Sequence, residues 1–276
     1  MLVCSVDVSV VDVDPWAIVG YVNMASLVER VVRQALRTFS QKQTTNVIFE
    51  ENFAKLKALA DQLTAADVNL NIHSLQATES GGCKPPVIYI SVYEDSHVTV
   101  GIFIVKSGEK LPLHDHPHMY GILKVIAGTV KIQSYTTISN SSDIDSPSAG
   151  GRRLFPYTRT KTQIQCAIKM PEVIVNENNG ACFLTPTERN LHEIYSVGAA
   201  AAFLDILSPP YDTSEFGERS CHYFKELNNE TPEPVTNKAR LIRIPSPAEY
   251  WNDVAVYEGP KIRYLWYFKE KNTNSN

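Results

Sequence analysis

Residues 108–128 read Gly-Glu-Lys-Leu-Pro-Leu-His-Asp-His-Pro-His-Met-Tyr-Gly-Ile-Leu-Lys-Val-Ile-Ala-Gly, with Gly108, His114, His116, Gly121 and Gly128 spaced by six, two, five and seven positions. On an extended strand, residues i and i+2 face the same way. His114 and His116 can therefore aim two imidazoles at one metal ion, while Asp115 between them points away. With 7 histidines in the chain, such a pair arises by chance roughly 0.2 times, so the surrounding glycine frame carries most of the weight. Short runs rich in β-branched residues lie on either side, at 87–93, 98–105, 122–126, 130–135, 164–168, 173–175, 182–184, 193–197 and 202–206. Two further extended segments are expected near 241–244 and 262–268. Many short strands without intervening helices predict an antiparallel sandwich or barrel.

Before the strands the periodicity is helical. Leu27, Val28, Val31, Val32, Ala35, Leu36 and Phe39 form one apolar face, with Glu29, Arg30, Arg33 and Arg37 largely opposite. A second helix is expected to start near Thr45 or Asn46 and to carry Phe53, Leu56, Leu59 and Leu63, and a short third one to cover 64–70. The polar segment 139–161 reads as a long surface loop inserted between two halves of the barrel. The chain thus divides into an optional extension at 1–23, one domain at 24–268 and a disordered tail at 269–276. Within that domain, helices occupy 24–70 and the barrel core about 87–268.

Of the 276 residues, 43% are hydrophobic and 20% charged, which excludes a wholly disordered chain. A net charge of -4 argues against nucleic acid or an anionic membrane as partner. The start is not a signal peptide, because the first basic residue is Arg30 and Asp7, Asp12 and Asp14 interrupt the apolar run. Nor does any uninterrupted apolar window of about 18 residues suggest a membrane span. Five cysteines without a CxxC pair suit reduced thiols in the cytoplasm or nucleus. A monomer is the default for a closed barrel with no exposed strand edges.

The 108–128 frame reproduces the first motif of the cupin superfamily, except that Gly121 stands where many cupins place a ligating Glu. Gly180, Pro186 and His192 resemble the second cupin motif, with the histidine displaced by about one position and Glu188 in place of a glycine. The resemblance implies a jelly-roll barrel in which His192 completes a three-histidine metal site with His114 and His116. Three neutral imidazoles would leave a divalent ion its full charge and about three open positions.

Longer strings resemble the cysteamine (2-aminoethanethiol) dioxygenase and plant cysteine oxidase family. They are 111–117, 123–125 before Gly128-Thr129-Val130, 204–212, 221–224 and 257–261, within an overall similarity spanning about 24–261. The family resemblance implies one Fe(II) on His114, His116 and His192, adding both atoms of O2 to a thiol to give a sulfinic acid. Its substrates are cysteamine or proteins with an N-terminal cysteine, whose irreversible oxidation can serve as an oxygen-sensing step.

By the same resemblance Asp205 is an acidic residue near the substrate, suited to pairing with its ammonium, and Tyr211 and Tyr223 are candidate donors toward dioxygen. Cys221 and Tyr223 match a Cys-x-Tyr segment that can become covalently linked in the animal enzymes. His118 replaces the family's usual Gly after Pro117, and residues 1–23 have no family counterpart. His73, His97 and His222 read as surface or hydrogen-bonded histidines, and no motif places an Arg near the site. The competing reading is a non-catalytic cupin that binds a metal or a ligand, because cupins host many activities.

Overall fold

A computed structural model describes residues 25–40, 45–72, 85–138, 164–212, 217–227 and 237–263. The expected extension at 1–23, the loop at 139–161, most of the extended segment 262–268 and the tail at 269–276 lie outside the described residues.

Both helices begin where side-chain chemistry supplies a cap. Helix α1 (Leu27–Phe39) starts at Ser26, whose hydroxyl accepts from the Glu29 amide at 3.3 Å. Helix α2 (Asn46–Ala60) starts at Thr45, whose hydroxyl faces the Ile48 amide at 3.5 Å. The expected third helix is a 3-10 turn, Ala65–Val68, followed by Asn69 in the left-handed conformation. Val28, Val31, Val32 and Ala35 of α1 are completely buried, as the apolar spacing requires.

The strands are β1 (Val87–Glu94), β2 (Thr99–Val105), β3 (Lys110–Asp115), β4 (Tyr120–Ala127), β5 (Thr129–Thr137), β6 (Ile164–Lys169) and β7 (Val173–Asn176). They continue as β8 (Cys182–Leu184), β9 (Leu191–Ser196), β10 (Ala201–Ser208), β11 (Tyr223–Glu226), β12 (Lys238–Ile244) and β13 (Asn252–Ala255). One sheet runs β13-β1-β2-β10-β4-β8 and the other β6-β12-β11-β3-β9-β5-β7, with β5 also pairing to β6. Every pairing is antiparallel except β1 with β13. This is the antiparallel jelly-roll barrel that the strand pattern and the glycine frame predict. Gly108 and Gly128 of that frame both hold left-handed φ angles, 76° and 71°, where a side chain is disfavoured.

Period-two alternation sorts the side chains into two cores. Val100, Ile102 and Ile104 of β2, with Ala202, Leu204 and Ile206 of β10, pack outward against α1 and α2. Val105, Leu123, Val125, Ile194 and Phe203 fill the space between the sheets. Each fully buried Leu, Ile or Phe contributes about 1.5–3 kcal/mol, so both faces of β10 anchor the domain. Asp205 is on the inner face of β10, in phase with Phe203, and interrupts this apolar layer.

The expected barrel without exposed strand edges is not what forms. The seven-stranded sheet closes through β5 and β6, but the six-stranded sheet ends in β13 and β8, so the barrel is not free of edges among the described residues. The four-residue strands β11 and β13 were not expected, because each sits beside polar sequence without a β-branched run.

Candidate metal centre

The three histidines meet because of strand register. His114 on β3 is directly opposite His192 on β9, and Tyr223 of β11 flanks His114 on its other side. His116 follows the end of β3 and is fixed there by its amide, which donates to the Asn190 carbonyl at 2.8 Å. Their ligand nitrogens all lie within 4.8 Å of one another, and the Nε2 atoms of His116 and His192 are 3.2 Å apart. Exposures of 8%, 1% and 7% put all three imidazoles out of water.

Burial lowers the pKa of each, and for His116 the charges of His192 and His114 lower it further. The rings are therefore neutral, and the protonated nitrogens of His114 and His116 are identifiable. Nδ1 of His114 donates to the Pro112 carbonyl at 2.8 Å. Tyr211 donates its hydroxyl hydrogen to the Asp115 carbonyl at 2.6 Å, so its oxygen accepts from Nδ1 of His116 at 2.9 Å. Nε2 of His114 and of His116 is left as a bare lone pair. Two lone pairs so directed, with a ring nitrogen of His192 in the same cluster, are the donor set of a metal ion, so the residues fit one.

Asp115 points away, as the alternation requires. Its carboxylate accepts from the His222 amide at 2.7 Å and lies 3.0 Å from Nδ1 of His222, which makes that histidine the hydrogen-bonded one expected. His118 is exposed and holds a φ of 59°, so the chain turns after Pro117 and carries its ring away from the triad. Gly121 faces the barrel interior, where an added Cβ would meet Leu184 Cγ at 2.9 Å and Leu207 Cδ2 at 3.0 Å. Apolar side chains thus fill the place of the missing carboxylate, and the metal-capable cluster among the described residues is histidine alone. Glu188 is not the residue in glycine-like conformation: Arg189, one position on, has the left-handed φ of 56°.

Beside the triad lies a cavity of about 340 Å³, whose walls include Asp205 and Tyr211 but none of the three histidines. Asp205 is 7% exposed, and burial pushes its carboxyl up to about 7, opposed by the Ile206 amide. The Cys221 thiol hydrogen-bonds the hydroxyls of Tyr211 and Tyr223. Although Cys221 has an exposed surface, the protein packed around its sulfur pushes the thiol up to about 12. Burial also raises Tyr211 and Tyr223, so both phenols keep their protons.

The structure therefore brings together all seven residues singled out in the sequence, but it gives Tyr211 a different partner from the one expected: its proton is directed to the Asp115 carbonyl. Sequence reasoning missed Arg219. Its guanidinium pairs with Asp212 at 2.5 Å and its Nε donates to the Pro210 carbonyl at 3.1 Å, pinning the residues on either side of Tyr211. No spacing rule reveals that pair. Asn190 was also missed, although it lies two residues before His192 and braces the site through Thr137 and the Pro186 carbonyl.

Among the described residues no helix is long and apolar enough to cross a membrane. The family model PCO_ADO matches residues 59–262. A human protein named 2-aminoethanethiol dioxygenase is 34% identical over 275 residues, covering 87% of this chain and 98% of its own. Its mouse counterpart is 35% identical with the same coverages. Plant cysteine oxidase 1 of Arabidopsis thaliana is 25% identical, covering 85% of this chain and 80% of its own. The extent of these matches and the convergent histidines lead to one assignment: the chain belongs to the PCO_ADO family of thiol dioxygenases.

Proposed function

We propose that the chain is an Fe(II)-dependent dioxygenase that converts the thiol of cysteamine, of a protein N-terminal cysteine, or of both into a sulfinic acid. The observation that carries this reading is the cluster of three buried, neutral imidazoles with no carboxylate among them, beside a cavity that holds Asp205. The names of the relatives support the substrate class. The overall change, R–SH + O2 to R–SO2H, needs no outside reductant.

His114, His116 and His192 would hold the iron. When bound, Fe(II) supplies the electron-rich centre at which a thiolate and dioxygen can react side by side. The chain's own residues bind and orient. Asp205 receives the ammonium of the substrate, whose positive charge favours the ionised carboxylate over the neutral form that burial alone promotes. Tyr211 holds His116 in the tautomer that leaves Nε2 free, and the Asp115–His222 pair fixes the end of β3. Leu184 and Leu207 keep water out of the side where a fourth protein ligand would stand. The effect of Tyr211 and Tyr223 on the Cys221 thiol puts these residues in one neighbourhood, which supports the Cys221–Tyr223 link that the family resemblance implies. All three ligands come from one chain, which supports a catalytically complete monomer, and the reduced-thiol reading supports cytoplasm or nucleus.

The test is mass spectrometry of Fe(II)-loaded protein incubated in air with cysteamine and with a cysteine-initiated peptide, beside His114→Ala. A gain of roughly 32 Da on the thiol, absent in the variant, is the expected result. No gain on either substrate with iron bound would overturn the reading in favour of a binding cupin.

A further inference from the structure

Strand β10 ends at Ser208, so the chain that carries Tyr211 has no sheet ladder to hold it. A single side chain takes over. Arg219 donates from Nη2 to Asp212 Oδ1 at 2.5 Å and from Nε to the Pro210 carbonyl at 3.1 Å, and its amide donates to Asp212 Oδ2 at 2.9 Å. The Asp212 amide returns a bond to the Arg219 carbonyl at 3.3 Å. Gly217 packs against this clamp: an added Cβ would collide with the Asp212 side chain, and the Gly217 carbonyl accepts from both the amide and the hydroxyl of Ser220. One guanidinium thus grips the chain at 210 and 212 and leaves only Tyr211 between the two points.

Tyr211 needs that grip. Its phenol oxygen stands 2.9 Å from Nδ1 of His116 and 2.6 Å from the Asp115 carbonyl, at the far end of a long side chain. A small rotation of the backbone at 211 carries the oxygen out of reach of both, whereas a supporting group has to stay within about 0.5 Å of its productive place. Arg219 is also two positions before Cys221, whose thiol acts on the same hydroxyl. As an ion pair the clamp stabilises little, because its side chains are 32% and 24% exposed. A planar fork that bonds a carboxylate and a carbonyl in different directions instead fixes a geometry, which an ammonium does not reproduce.

We propose that Arg219, acting through Pro210 and Asp212, is a positioning residue for the metal centre. It holds the Tyr211 phenol on His116 and so keeps that imidazole in the tautomer with a free Nε2. The inference rests on the metal centre of the proposed function and is independent of the thiol chemistry.

The experiment uses the full-length protein, metal-free and Fe(II)-loaded without air, as wild type, Arg219→Gln, Arg219→Lys, Asp212→Asn, Tyr211→Phe and the combination of Arg219→Gln with Tyr211→Phe. In chelator competition Arg219→Gln and Asp212→Asn are expected to lose about tenfold in Fe(II) affinity, the low end of what loss of an outer partner costs. Arg219→Lys recovers little of it. Added to Tyr211→Phe, Arg219→Gln costs no further affinity, because it acts through the phenol that is already gone. The tautomer is read directly from the imidazole nitrogen chemical shifts of metal-free, histidine-labelled protein. His116 holds the Nδ1–H form alone in the wild type and populates both forms in Arg219→Gln and Asp212→Asn. A merely structural role would lower the urea midpoint while leaving the tautomer unmoved. Unchanged affinity and tautomer in both single variants, or a full further loss when Arg219→Gln is added to Tyr211→Phe, would overturn the proposal. A wild-type protein that binds no Fe(II) would instead overturn the metal centre, and the metal-free tautomers would still decide whether Arg219 sets His116.

Discussion

The Tyr211 hydroxyl bridges Nδ1 of His116 and the carbonyl of Asp115, at 2.9 and 2.6 Å, so one phenol fixes both the tautomer of a metal ligand and the backbone beside it. Tyr211→Phe removes the acceptor for Nδ1 and leaves the Asp115 carbonyl without its donor. Loss of such an outer partner typically costs 10–100-fold in metal affinity, and about tenfold is expected here. Competition with a chelator measures it. Unchanged affinity would mean that Tyr211 does not position His116.

Asp205 sets stability against function. Its carboxyl is raised by burial from the ordinary 3.8 to about 7. Between these values the folded protein holds a proton that the unfolded chain has released, so stability falls as pH rises from about 4, and the full penalty is present above about 7. Asp205→Asn removes the penalty. It is expected to stabilise the protein by about 1–3 kcal/mol at pH 8 and by little at pH 4. Thermal melts at the two pH values check this. The same variant should lose most of its kcat/KM on amine-bearing thiols, because no carboxylate meets the ammonium. A variant equally stable at both pH values and fully active would contradict both roles.

The sequence announces some of this site and conceals the rest for physical reasons. Capping hydroxyls at Ser26 and Thr45 and the β-branched runs of β2, β4 and β10 are local signals, and their elements are where the pattern puts them. His114 on β3 and His116 just past its end are two positions apart, so spacing finds them. His192 is 76 positions beyond His116, and only the Gly180–Pro186 frame points to it. Tyr89 and Glu94 of the cavity wall and the Asp212–Arg219 pair carry no such frame. Glu94 reaches the cavity through a register shift at Ser91 and Tyr93 that inverts the alternation, which period-two reading along one strand cannot foresee. Arg189 was missed for a related reason: its left-handed φ lies in the turn that carries the chain from β8 in one sheet to β9 in the other, and no glycine marks it.

Gly121 holds open a space that is already filled. An added Cβ would meet Leu184 and Leu207 at 2.9 and 3.0 Å. Gly121→Ala is expected to cost about 1–3 kcal/mol through overpacking, read as a lower urea midpoint with unchanged slope. Adding Leu184→Ala should recover part of that loss, giving a favourable coupling in the double-mutant cycle. A merely additive double variant would show that Leu184 is not what excludes a side chain there.

Lys124 is the least expected residue in the outer core. It lies on β4 between Ile122 and Ile126, with 1% of its surface exposed, where α2 packs on the sheet. Its ammonium donates to the carbonyls of Glu177 and Asn179 at 2.7 and 2.6 Å. Asp61 of the same neighbourhood accepts from the Ala181 amide at 2.6 Å. Lysine and aspartate thus pin the 176–181 turn that leads into β8. Lys124→Met keeps the stem's packing but leaves two carbonyls without a donor, a loss of about 2–3 kcal/mol. That turn lies more than a strand away from the histidines, so the variant is expected to denature at lower urea while holding metal with wild-type affinity. Weakened metal binding would show instead that the turn transmits its order through β8 and β9 to His192.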